Sequence, residues 1–132
     1  MRPDTSLQKR DVKDEHPGRP GSHTTIAVVT TNAMLTKSQA TRIAQMAHDG
    51  LARAILPAHT MFDGDTVFVL ATGEANLPEG ETPFGSGKME SLTRIGASAA
   101  DVFSRAIIHA MLAAETVGTF VCYRDKYPEA FL

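Results

Sequence analysis

Thr24 is the residue best placed to do chemistry, because it stands where a polar stretch gives way to the β-branched run His23-Thr24-Thr25-Ile26-Ala27-Val28-Val29-Thr30-Thr31. A threonine hydroxyl becomes a nucleophile when a base takes its proton. A threonine that is the first residue of a chain carries that base itself, an α-amine with an ordinary pKa of about 8. Its β-methyl group restricts χ1 and keeps the hydroxyl near one rotamer. Thr24 in this role needs a break between His23 and Thr24; otherwise it is an ordinary threonine at a strand edge. Other chemistry-bearing groups are weaker. Gly85-Ser86-Gly87-Lys88 falls short of a phosphate loop, lacking both the Gly-x-x-x-x-Gly-Lys-[Ser/Thr] spacing and a preceding strand. His23, His48, His59 and His109 show no metal-ligand spacing, and Cys122 has no base nearby, so no cofactor or metal is implied. Asp63-Gly64-Asp65 reads by itself as a turn feeding a strand.

The elements that must position Thr24 follow in order. Residues 25–31 predict a strand, apolar on both faces and therefore covered on both sides. Thr36 with Gln39 three residues on forms a capping box. It opens a helix whose stripe Ile43, Met46, Ala47, Gly50, Leu51, Ala54 and Ile55 recurs at three- and four-residue steps until Pro57. Gly50 within that stripe implies close packing against a strand. Residues 66–72 predict a second doubly apolar strand, and 73–88 a long loop of the kind that serves as a lid or functional loop, or is disordered. A second helix is expected from about Glu90 to Val117, capped by Gly118, then a tail carrying Tyr123, Tyr127 and Phe131. Two strands alone do not make a stable sheet, and two helices cannot cover both faces of both. The fold class is α/β, in strand-helix-strand-helix order, and it looks incomplete.

Residues 1–22 differ from the rest. They hold five Lys/Arg and four Asp/Glu, with Pro3, Pro17 and Pro20 and no apolar run. They read as a disordered lead-in, not a signal peptide, which leaves 23–132 as the folded portion. A net charge of −2 offers no basic footprint for nucleic acid, and the single cysteine excludes an internal disulfide framework. No run of consecutive apolar residues approaches the ~20 that span a membrane. A cytoplasmic protein with no nucleic-acid or membrane partner is the expectation.

Several blocks, in order, resemble the L-aminopeptidase/D-esterase family, which includes β-peptidyl aminopeptidases and nylon-oligomer hydrolases. They are His23 to Ala33, Met46 to Ile55, Pro57-Ala58-His59-Thr60, Asp63 to Phe68, Ala71-Thr72-Gly73 and Arg105-Ala106-Ile107. The resemblance runs from about Gly21 to Tyr127 and matches the family's C-terminal β-subunit. It implies an N-terminal-nucleophile amide hydrolase with a four-layer αββα sandwich, made as a precursor and cut once. Thr24 falls on the nucleophile and His23-Thr24 on the cleaved bond. Asp63 and Asp65, the first of them 39 residues after Thr24, fall on the two residues beside it. Crowded carboxylates there should hold the amine in its cationic form and push one carboxyl pKa upward.

This sequence departs from the family at His23, where many members carry Asn or Gly. Residues 1–22 also contain no counterpart of the family's α piece, whose asparagine stabilises the oxyanion; such donors are worth about 2.7–4 kcal/mol each. The resemblance therefore implies a peptide or small-amide substrate, the α piece of the same precursor as partner, and a homo-oligomer when complete. It leaves the isolated chain inactive. A non-catalytic truncated remnant, or an acyltransferase using the same autoproteolytic threonine, stands as the alternative.

Overall fold

A computed structural model describes residues 23–131; the lead-in assigned to 1–22 lies outside the described residues. The architecture is mixed α/β and is built on a β-α-β unit. β1 (Ile26–Ala33) leads through α1 (Lys37–Ala54) to β2 (Thr66–Ala75), and the two strands pair in parallel with Ile26 opposite Thr66 and Thr30 opposite Leu70. The register shifts between Thr31 and Ala33, where Gly73 takes a φ of 77°. That glycine marks a bulge and not the start of a loop, so β2 runs three residues past its expected end.

α1 begins as expected. The Thr36 hydroxyl accepts from Gln39 N–H, and the Gln39 side chain accepts from Thr36 N–H at 2.8 Å. Ile43, Ala47, Gly50 and Leu51 of its stripe are buried. They meet Ala99 and Phe103 of α2 (Gly87–Ala113) and Val67 of β2, with Ala27 and Val29 packed at the margin. Gly50 sits against the other helix instead of a strand: a Cβ there would lie 3.0 Å from the Cα of Ala100. Gly96 of α2 likewise rests on the Met46 side chain, and Arg53 pairs with Asp101 across the helices. Close approach of the helix backbones is what the small residues allow. At 27 residues α2 is long and apolar enough by length and composition to cross a membrane, yet Gly96, Ala99, Ala100 and Phe103 are buried within this fold.

The stretch expected to be a loop is largely structured. Leu77 is buried, and β3 (Glu81–Thr82) pairs antiparallel with β4 (Gly85–Ser86) around a turn where Gly85 has φ 118°. Ser86 then caps α2 by accepting from Met89 N–H at 3.3 Å, which accounts for the Gly-Ser-Gly-Lys run without a phosphate. α2 ends at Ala113, four residues early, and Gly118 serves the turn joining Val117 to Phe120. In the tail, α3 (Tyr123–Lys126) and a 3₁₀ turn (Pro128–Phe131) stack Tyr123 on Tyr127 and Phe131, with the Arg124 guanidinium 4.8 Å above the Phe131 ring.

Among the described residues the sheet is only half covered, in line with the incomplete fold expected from the sequence. The helices cover one face only. Ile26 and Val28 of β1, with Phe68 and Leu70 of β2, are each more than half exposed on the other. Beside β1, an open groove of about 760 Å³ runs under α2 and is lined by Thr25 to Thr31 together with Ile95, Ala99, Val102 and Phe103.

Candidate active site

The three residues singled out from the sequence meet at the point where β1 and β2 begin. Parallel pairing starts before either strand proper, with His23 bridged to Asp63. The Gly64 N–H donates to the His23 carbonyl at 3.0 Å, and the Thr66 N–H donates to the Thr25 carbonyl at 2.9 Å. These bonds carry Thr24 alongside Gly64. A Cβ on Gly64 would lie 2.7 Å from the Thr24 Oγ1, so the hydroxyl occupies the space that any side chain at 64 would need.

The two aspartates are turned to different partners. Asp63 Oδ2 accepts from Thr60 N–H at 2.6 Å, while Asp63 N–H returns a bond to the Thr60 carbonyl at 3.1 Å, so the 60–63 turn is closed from both ends. Asp65 has a side chain only 6% exposed. Its Oδ1 accepts from Thr25 N–H at 3.0 Å and its Oδ2 lies 2.9 Å from His59 Nδ1. Burial works against ionisation of this carboxyl, but the Thr25 N–H, the His59 charge and the His59 hydrogen bonds outweigh it. Asp65 is held below its ordinary value. The expected upward shift from crowded carboxylates is not what Asp65 undergoes, because its neighbours are donors and a histidine.

His59 and Gly64 were not singled out from the sequence. His59 takes a φ of 56°, in the left-handed region, which aims its ring back at Asp65; the ring of His48 on α1 meets it edge-on at 4.8 Å. The signal for His59 in the sequence is a histidine a few residues before an Asp-Gly-Asp turn, a spacing that suits no metal site. Among the described residues no group of three or more His, Cys, Asp or Glu is arranged to hold a metal ion. The site is thus a hydroxyl beside a glycine, with a buried carboxylate bonded to the backbone one residue further on. That arrangement can position a nucleophile.

The family model for peptidase family S58 matches residues 3–122, taking in both strands, both long helices and every residue of this site. This chain belongs to peptidase family S58. The family expected from the sequence is therefore the family found. Among curated relatives, an uncharacterized aminopeptidase of Mycobacterium tuberculosis is 47% identical over 111 residues, covering 83% of this chain and 32% of the relative. A corresponding aminopeptidase of Mycobacterium leprae is 44% identical over 115 residues, with 83% and 31% covered. A 6-aminohexanoate-oligomer endohydrolase of Paenarthrobacter ureafaciens is 36% identical over 90 residues, with 67% and 25% covered. The S58 chain described here spans about a third or less of the length of these relatives.

Proposed function

We propose that this chain is the C-terminal, nucleophile-bearing part of a self-processing amide hydrolase. Cleavage of the His23–Thr24 bond frees the Thr24 α-amine, which serves as the base for the Thr24 hydroxyl, and the hydroxyl attacks the carbonyl of a peptide or small amide. The observation that carries the reading is the placement of the Thr24 Oγ1 against Gly64 at the shared start of the two strands, with Asp63 and Asp65 on either side of that glycine. Asp65 acts through the backbone: by holding Thr25 it fixes the residue next to the nucleophile. The relatives named aminopeptidase and oligomer endohydrolase favour hydrolysis over acyl transfer.

On this reading the exposed face of Ile26, Val28, Phe68 and Leu70 is the inner face of a four-layer αββα sandwich, covered by a second sheet from the rest of the enzyme. Sheets stack about 10 Å apart through such faces. The groove between β1 and α2 takes a further strand against the open edge of β1. The α piece supplies both, together with the oxyanion donors for substrate.

Co-expression with the upstream part of the enzyme, followed by intact-mass measurement, tests this. A chain beginning at Thr24 is expected, and Thr24→Ala abolishes both that product and amide hydrolysis. Full hydrolytic activity in a protein whose His23–Thr24 bond stays whole sinks the reading.

A further inference from the structure

Self-cleavage needs a donor of its own, because the carbonyl attacked in that step belongs to His23 and not to a substrate. We infer that the backbone N–H of Gly64 is that donor: it stabilises the oxyanion formed on His23 while Thr24 cuts its own chain. The inference rests on the self-processing reading above and assigns a group to its first step.

The geometry is already in place in the uncut chain. The Gly64 N–H meets the resting His23 carbonyl oxygen at 3.0 Å, so a donor already stands beside the atom on which the oxyanion forms. The same residue leaves room for the attacking atom, since the Thr24 Oγ1 fills the space of its missing side chain. One glycine thus touches both the nucleophile and the carbonyl it attacks.

The step balances as follows. Thr24 Oγ1 forms a bond to the His23 carbonyl carbon, and the carbonyl π pair moves onto the His23 oxygen, which the Gly64 N–H bonds. The hydroxyl proton passes to the Thr24 nitrogen, the C–N bond breaks as the carbonyl reforms, and an ester links His23 to Thr24 Oγ1. Water then hydrolyses the ester, leaving a His23 carboxyl group, the Thr24 hydroxyl and a free α-amine. In the resting chain the Gly64 bond is an ordinary strand-pairing bond. It gains strength only when its acceptor becomes an anion, since charge-assisted bonds are roughly twice as strong as neutral ones. An interaction stronger in the transition state than in the ground state is what accelerates a step.

Replacing the Asp63–Gly64 amide by an ester, with glycolate at position 64 of the full-length precursor, removes this N–H and little else. The Thr24-terminated chain is expected to appear at least 100-fold more slowly, with hydrogen-exchange protection of β1 and β2 unchanged. A rate within threefold of the unmodified precursor overturns the inference. So does slowing accompanied by lost protection across the strand pair, which would make the bond structural only. Thr24→Ala in the same precursor separates the two levels: if that variant is still cut after His23, the self-processing reading falls, whatever the ester does.

Discussion

Substituting Gly64 by alanine perturbs the candidate nucleophile through space alone, and its size can be worked out. The new Cβ would lie 2.7 Å from the Thr24 Oγ1 but 3.6 Å from its Cγ2 and 3.7 Å from its Cβ, so only the hydroxyl must move. Reaching ordinary van der Waals contact requires a displacement of about 0.7 Å, roughly a 30° rotation about χ1, which costs on the order of 0.5–1.5 kcal/mol. A misplacement approaching 1 Å lowers rates by up to about 10²-fold. The expected loss in self-cleavage and turnover is therefore about 10- to 100-fold, or roughly 1.4–2.7 kcal/mol in the barrier. Folding should respond far less. Gly64 is exposed and has no positive φ, so alanine fits its backbone and removes unfolded-state entropy worth about 0.4–1 kcal/mol, which offsets most of the strain at Thr24. Gly64→Ala should melt close to the parent temperature while processing more slowly. Intact-mass time courses and thermal unfolding of the full-length protein measure both. Processing within twofold of the parent would refute the argument.

Three further outcomes are expected. His59→Asn keeps a side-chain donor and tolerates the left-handed backbone, whereas His59→Gly keeps only the backbone; turnover should survive the first and fall at least tenfold in the second, and equal rates would show that the bond to Asp65 does not matter. Asp65 has a folded pKa below its ordinary value of 3.8, so its stabilisation is fully present above that value and is lost as pH falls through the lower folded one. The stability gap between the parent and Asp65→Asn, followed by denaturant titration, should still be present at about pH 5 and close only under stronger acid. Gly50→Ala gains about 1 kcal/mol of helix propensity but drives a methyl into the Ala100 backbone, where overpacking costs about 1–3 kcal/mol. Net destabilisation of up to about 2 kcal/mol in chemical unfolding is expected, and a more stable variant would show that the helices can part freely.

Local signals reported local structure well. The Thr36–Gln39 capping box, the α1 stripe and the two β-branched strands are all where their residue patterns put them, because each is decided within a few residues. Patterns that depend on a partner could not name that partner. Ile26 and Phe68 are as apolar as buried strand residues, but nothing within the described residues covers them. Gly50 announced a close approach without saying to what, and Gly73 read as a loop glycine because a bulge leaves the same mark. At the site, Thr24 was legible as a threonine at the mouth of a strand, while Asp63 and Asp65 stood out only through the family resemblance. Gly64 and His59 enter the site through a missing side chain, a backbone amide and a left-handed φ, none of which residue type alone reveals.

The two sides of the His23–Thr24 bond are anchored unequally. Beyond the cut, Thr25 is fastened on both flanks, its N–H to Asp65 and its carbonyl to the Thr66 N–H, with β1 continuing behind it. Before the cut, the His23 carbonyl accepts from the Gly64 N–H, a bond with a net worth of about 1 kcal/mol. Chain ends ordinarily fray, yet a new end at Thr24 would have a leash one residue long. If the chain is cut there as proposed, the bonds on Thr25 keep the new amine beside its own hydroxyl.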